Sequence, residues 1–258
     1  MLTPAFYEHA QALVPAFEEF ARTVPYEKKG ILFSEMLFLA ALVRSRPEKT
    51  LRVIESGRAR AQSTLILARL FPELPVVSIE YDPNSPDTAV AAERLKDCTN
   101  VEALFGDSTQ ILPEIVRAGD VVLIDGPKHF RALRLAMHLL NENHTHLVLV
   151  HDVHRGIPER AFLDQQAPIS AFSDQEDFVS KYRHLDDSCW QVEQSSVGGD
   201  DPHCFGNASG LSYGPTLAAL GMPPSGSKAF PLLARLALER TALTARWKAS
   251  QAKKRAKK

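Results

Sequence analysis

Residues 51–82, LRVIESGRARAQSTLILARLFPELPVVSIEYD, decide how the rest of the chain reads. An apolar, β-branched run ends in Glu55, Ser56-Gly57 supplies a small-residue turn, a helical pattern follows, and a second apolar run ends in Glu80. This is a strand–turn–helix–strand unit with an acid at the carboxyl end of each strand. Open parallel α/β sheets bind nucleotide-like ligands at that edge.

Outward from this unit the rhythm continues. Apolar runs at 51–55, 76–80, 101–105, 121–125 and 147–151 alternate with helical patterns at about 61–71, 86–97, 109–117 and 128–140. Strands alternating with helices of this length predict a parallel, doubly wound sheet. VVLID and LVLVH are apolar without alternation, as strands covered on both faces are. Residues 5–22 read as an amphipathic helix and 34–45 as a more deeply buried one, with Lys28-Lys29-Gly30 as a turn between them. Beyond residue 156 the pattern predicts a helix at 172–184, a strand near 189–194, a polar loop at 197–210 and a strand-like run at 211–217. These elements would complete the sheet as an antiparallel hairpin. A helical pattern at 230–247 runs into a basic tail. The expected division is an N-terminal helical extension (1–46), a Rossmann-like domain (47–220), and a C-terminal helix with the tail (221–258).

The apolar share of 45% and charged share of 24% are those of a globular protein and exclude wholesale disorder. The net charge of −1 hides an asymmetry. The last eleven residues, KASQAKKRAKK, carry six positive charges and no acid, which leaves the body near −7. Cys98, Cys189 and Cys204 form no CxxC pair and read as reduced thiols. The longest apolar stretch, 31–43, carries Glu35 and falls short of the roughly 20 residues a bilayer needs. The first ten residues lack the order of a secretion signal, so the cytoplasm is the expected location.

Candidate residues sit at the strand ends. Gly57 permits a tight turn and close approach of a ligand to the backbone, and the following helix N-terminus favours an anion. Glu55 would organise that loop and accept from a ligand ammonium group. Glu80, 25 residues further on, suits both hydroxyls of a ribose. In Gly106-Asp107-Ser108-Thr109, Asp107 or Ser108 caps a helix and can also face an adenine. Asp125 follows VVLI and needs a cation, a metal or a backbone donor as partner. Lys128 lies one turn away and would serve as a base if its neighbours depressed its pKa. Asp152, facing Asp125 across adjacent strand ends, makes an oxygen site for Mg²⁺, and a histidine such as His151 or His154 in the set would shift the preference to a transition metal. His144 and His146 lie on the opposite edge and read as structural.

Together these pieces resemble class I S-adenosylmethionine-dependent methyltransferases, closest in pattern to the small-molecule O-methyltransferases related to catechol O-methyltransferase. The resemblance covers about residues 26–155. Lys29-Gly30 is similar to that family's entry before the first core helix, and Glu55-Ser56-Gly57 through Ser63 to its first motif. Ser78-Ile79-Glu80 followed by Pro83 resembles its ribose-binding segment, and residues 105–113, FGDSTQILP, its third motif. Asp125 with Lys128 resembles its metal-binding Asp and catalytic Lys, and Asp152 its second metal-binding Asp. Two positions depart from the pattern: Val153 stands where the family has an Asn metal ligand, and Ala61 where it has a Gly.

The resemblance implies a seven-stranded, mostly parallel sheet and methyl transfer from S-adenosylmethionine to a small-molecule hydroxyl. Glu55, Gly57 and Ser63 would hold the methionine part, Glu80 the ribose, and Asp107 and Ser108 the adenine region. The sulfonium and acceptor would meet near Asp125, with Lys128 as base. Asp125 and Asp152 would hold Mg²⁺ or another divalent metal, completed by His154 or water. Two rival readings are a catalytically silent binding module and an RNA-modifying enzyme that uses the basic tail. No Asn-Pro-Pro-aromatic run follows the fourth strand, which counts against base N-methylation of the adenine type. A nicotinamide enzyme is disfavoured by the poor Gly-rich fingerprint. A homodimer through 230–247 is the expected oligomer, if one forms.

Overall fold

A computed structural model describes residues 2–46, 49–142, 145–166, 170–194 and 216–221. The five apolar runs become β1 (Arg52–Ser56), β2 (Val76–Glu80), β3 (Val101–Phe105), β4 (Asp120–Ile124) and β5 (Leu147–Val150). They are mutually parallel, and two further strands, β6 (Ser170–Phe172) and β7 (Ala218–Gly221), close the sheet. The order is β3-β2-β1-β4-β5-β7-β6, with β7 antiparallel to both its neighbours. The chain reverses its direction of winding between β1 and β4. The carboxyl ends of those two strands therefore border the crevice in which such sheets bind ligands.

Strand alternation separates two cores. Val53, Val121, Leu123, Leu147 and Leu149 face one side, and Ile54, Val122, Ile124, Val148 and Val150 the other. On the second side α6 (Phe130–Glu142) covers the sheet with Phe130, Leu133, Met137 and Leu140. On the first side lie α1 (Pro4–Thr23), α2 (Phe33–Ser45) and α3 (Gln62–Leu70). Thr3 caps α1 by accepting from the Phe6 amide at 3.2 Å, and Pro4 sits at its first turn, where a missing N–H costs nothing. Phe6, Ala10, Val14, Phe17 and Phe20 repeat on the helical period and are buried. Helix α2 is buried nearly all round, since it lies between α1 and the sheet. The N-terminal helices thus share one continuous core with the sheet.

α4 (Pro86–Leu95) and α5 (Ser108–Ile115) match the sequence patterns. The region after residue 156 does not. It holds α7 (Pro158–Gln166), β6, α8 (Glu176–Tyr182), a 3₁₀ turn (Arg183–Asp186) and α9 (Asp187–Gln194). The expected helix at 172–184 begins later, and the strand expected near 189–194 is a helix. Its residues are drawn against the N-terminal helices: Cys189 is fully buried in the α1–α2 core, and Asp186 accepts from the Ser34 amide at 2.9 Å. The antiparallel completion of the sheet holds, but through 170–172 and 218–221. The loop at 197–210, the segment 211–215, the helix at 230–247 and the tail lie outside the described residues. Among the described residues no helix is long and apolar enough to cross a membrane.

Candidate functional site

The turn from β1 into α3 is built from backbone conformations that most residues avoid. Gly57 has φ +90°, and a Cβ there would lie 3.0 Å from both the Asp125 carbonyl carbon and the Gly126 nitrogen. The turn therefore presses against the end of β4, and only glycine leaves room. Ala59 and Ala61 also take positive φ, +45° and +67°. The glycine position that the sequence lacks is still left-handed, and Ala61 occupies it at a steric cost of about 1–2 kcal/mol. Ala59→Gly is expected to stabilise the chain by about 1 kcal/mol, because its methyl is exposed and nothing is lost. A higher denaturation midpoint at unchanged slope would register this. At Ala61 the same change gains little, since removing its buried methyl costs about 0.8 kcal/mol.

Arg58 is buried and donates to the Ser78 carbonyl at 2.8 Å, with its guanidinium 4.6 Å from the centre of the Phe105 ring. Gln62 ties the turn to the Lys29-Gly30 entry. Its Oε1 accepts from the Glu27 amide at 2.8 Å, and its Nε2 donates to the Ile31 carbonyl at 3.0 Å. Gly30 is required here, because a Cβ would stand 2.8 Å from the Glu27 carbonyl oxygen.

Glu55 organises this turn from beneath. It is 0% exposed, and Oε2 accepts from the hydroxyls of Thr64 and Ser78. Burial raises its pKa, and the hydroxyls of Ser63, Thr64 and Ser78 only partly offset this. With no exposed surface, Glu55 does not meet a ligand directly, which corrects the ammonium-binding role expected of it. Its other oxygen, Oε1, has no hydrogen-bond partner. Ser63 itself lies in the first turn of α3, whose start carries no side-chain cap. The leading amides of α3 are therefore open to an anion.

Glu80 ends β2 and is half-buried. Its Oε2 accepts from the Ala59 amide at 2.7 Å and Oε1 from the Tyr81 amide at 2.8 Å, which fixes the carboxylate while leaving lone pairs for further donors. Asp107 caps α5, accepting from the Thr109 amide and hydroxyl, and these bonds lower its pKa. Ser108 donates to the Gly126 carbonyl at 2.7 Å, beside Ser56, which donates to the same oxygen at 2.6 Å. The ends of β1, β3 and β4 are thereby laced together at Gly126.

A chain of charges runs inward from the ends of β4 and β5. The Lys128 ammonium bridges Asp125 and Asp152, lying 2.6 Å from Asp152 Oδ2. Asp125 Oδ1 also meets His151 Nδ1 at 2.7 Å, and His151 Nε2 faces Glu35 Oε2 at 3.4 Å. Glu35, on α2, further accepts from the Leu32 amide at 2.9 Å. Burial disfavours charge on His151, but Asp125 and Glu35 outweigh it and lift its pKa well above the usual 6.5. For Asp125 burial also opposes ionisation, yet His151 and Lys128 hold its carboxyl far below its ordinary value. Asp152 is lowered in the same way by His151 and Lys128. Burial, helped by Asp152, pushes Glu35 up against the lowering effect of His151 and the Leu32 amide.

Lys128 is the clearest correction. A base there needs a depressed pKa, but Asp125 and Asp152 overcome burial and raise it, so the side chain is held as an ammonium. The sequence reading also passed over His151 and Glu35 as partners. The available signal was a lone acid inside an otherwise apolar helix, which must find a donor when buried.

The divalent metal implied by the resemblance does not fit this arrangement. Asp125, His151 and Asp152 do bring three donor atoms within 4.8 Å of one another. Lys128 already spans the two carboxylates, both ring nitrogens of His151 face carboxylates, and Val153 is 2% exposed and packed in the α6 core. His154 bonds the Arg155 carbonyl instead of joining the cluster.

No family model matches the chain, and no curated protein matches it. Among solved structures, it is similar to the Podospora anserina methyltransferase PaMTH1 bound to SAH, at 16% identity and TM-score 0.44 over 86% of this chain and 89% of that one. The O-methyltransferase TomG of Streptomyces achromogenes, in complex with SAM, shares 17% identity at TM-score 0.39 over 86% and 91%. Cofactor-bound Rv0187 from MTB shares 20% at TM-score 0.41 over 83% and 89%. At such identities and TM-scores these likenesses carry nothing alone, and the strand order decides the fold. The fold is a Rossmann-like, doubly wound α/β fold. The mostly parallel seven-stranded sheet with an antiparallel completion matches the expectation from the sequence, and its order is β3-β2-β1-β4-β5-β7-β6.

Proposed function

We propose that this chain is an S-adenosylmethionine-dependent methyltransferase that acts on the hydroxyl of a small molecule. The observation that carries the reading is the pairing of two features at the switch point of the sheet. One is the Gly57 turn and uncapped start of α3; the other is the Glu80 carboxylate, pinned 2.7 Å from the Ala59 amide of that turn. The residues fit the cofactor. The α3 amides and Ser63 suit a carboxylate, Glu80 keeps acceptor capacity for ribose hydroxyls, and Gly57 lets the turn lie close against the end of β4. When bound, the cofactor supplies an electrophilic methyl group on a sulfonium.

The chain's own contribution is placement and charge. Asp125, at the end of β4, borders Gly57 on one side and Lys128 on the other, so an acceptor beside Lys128 is close to the cofactor crevice. Held as an ammonium, Lys128 stabilises an ionised acceptor oxygen instead of removing its proton. Sites without a strong base serve acceptors that ionise readily, so phenol-like hydroxyls, with pKa near 10, suit this one better than aliphatic alcohols. In-line alignment then supplies most of the rate enhancement.

The second reading is a silent cofactor-binding protein, favoured by one observation: Asp125 and Asp152 pair with Lys128 and hold it away from the role of a base. Incubation with methyl-labelled S-adenosylmethionine and a panel of phenolic and aliphatic hydroxyl acceptors separates the two. The methyltransferase reading expects label in phenolic products, reduced at least about tenfold by Lys128→Ala. Cofactor binding with no labelled product from any acceptor would favour the silent protein.

A further inference from the structure

The fold's implied divalent metal and this chain's residues disagree, and the disagreement has a specific form. We infer that the Lys128 ammonium takes the place of a divalent cation at the ends of β4 and β5, so that this cluster binds no metal. Three independent features of the structure carry this.

The first is position. Lys128 Nζ pairs with Asp125 Oδ1 and lies 2.6 Å from Asp152 Oδ2, so it sits where an ion bridging those two carboxylates would sit. The second is the donor set. Mg²⁺ and Ca²⁺ take six or more oxygens, and their sites are completed by carbonyls, carboxylates or water. At position 153 the chain offers a valine side chain, buried in the α6-side core, which supplies no ligand. The third is His151. A nitrogen-preferring metal would need a ring lone pair, but Nδ1 faces Asp125 at 2.7 Å and Nε2 faces Glu35 at 3.4 Å. Both ring nitrogens are already engaged by carboxylates, so neither is aimed at an open coordination position.

The arrangement is continuous: Lys128 lies between Asp125 and Asp152, and Asp125 also meets the His151 ring. Glu35 acts as a positioning residue at the far end: by occupying Nε2 it keeps His151 turned toward Asp125. In a metal-dependent relative of this fold the ion would supply positive charge to the acceptor oxygen. Here the chain carries that charge itself.

The test is metal binding by the full-length chain, independent of turnover and of cofactor affinity. Mn²⁺ would be titrated and read by electron paramagnetic resonance of the free ion, for the parent, Lys128→Ala and Lys128→Met. Circular dichroism would confirm that each is folded. The parent is expected to bind no Mn²⁺ saturably at submillimolar concentration. Both variants are expected to bind at least tenfold more tightly than the parent, because removing the ammonium exposes the two carboxylates. Saturable micromolar binding by the parent, abolished in Asp152→Ala, would overturn the inference. It would also be overturned if neither Lys128 variant bound better than the parent, since the ammonium would then not be holding a cation's place.

Discussion

Gly57→Ala is expected to destabilise the chain by about 3 kcal/mol and to abolish cofactor binding. Two costs add. An L-residue at φ +90° is strained by about 1–3 kcal/mol. The new methyl also meets backbone atoms, the Asp125 carbonyl carbon and the Gly126 nitrogen, each 3.0 Å away. Backbone cannot turn aside as a flexible side chain can, so β4 must shift from β1, costing roughly another 1–3 kcal/mol. That shift would also break the bonds that Asp125 and Gly126 amides make to the Ser56 carbonyl, at 2.9 and 3.1 Å. Urea denaturation would read the loss as a lower midpoint, and the folded fraction should show no cofactor-dependent thermal shift.

His151→Ala should be nearly as damaging, and its effect should depend on pH. Removing the ring strands Glu35, a fully buried carboxyl whose Oε1 already lacks a partner, and takes one cation from Asp125. Breaking a buried charge pair by removing one member costs about 3–5 kcal/mol. The sign of the pH dependence follows from the folded pKa values. His151 is raised, so its contribution is complete below the ordinary value of 6.5 and is lost as pH rises through its higher folded value. Asp125 is lowered, so its contribution is complete above the ordinary value of 3.8 and is lost as pH falls through its folded value. The gap between parent and variant should therefore be widest between about pH 4 and 6.5 and narrow at alkaline pH. Denaturation midpoints measured across that range would check it, and a gap that widened above pH 8 would contradict the assignment of charge to His151.

The sheet was legible in the sequence because its central strands are buried on both faces. VVLI and LVLV have no polar residue to confuse their reading, and each ends at the edge where an acid must be explained. Glu80, Asp125 and Asp152 announced themselves in that way. Other parts of the chain were silent for physical reasons. The β6 strand has three residues, too few for a period, and β7 is Ala-Ala-Leu-Gly, poor in β-branched residues and stable only because β5 and β6 flank it. Residues 189–194 carry Trp190 and Val192 in strand-like alternation, but the burial of Cys189 and the Asp186–Ser34 bonds anchor the segment as a helix on the N-terminal layer. The protonation of Lys128 was out of reach of the sequence altogether. It depends on two acids 3 and 24 residues away meeting one ammonium, a distance relation that spacing alone does not contain.

The crevice between β1 and β4 is the centre of the proposed function. Isothermal titration of the full-length chain with S-adenosylmethionine tests it most directly, with Glu80→Ala alongside. The expected result is saturable one-to-one binding by the parent, weakened at least about tenfold, or about 1.4 kcal/mol, in Glu80→Ala. A folded parent chain that takes up no cofactor at millimolar concentration, or a Glu80→Ala variant that binds as tightly as the parent, would contradict it.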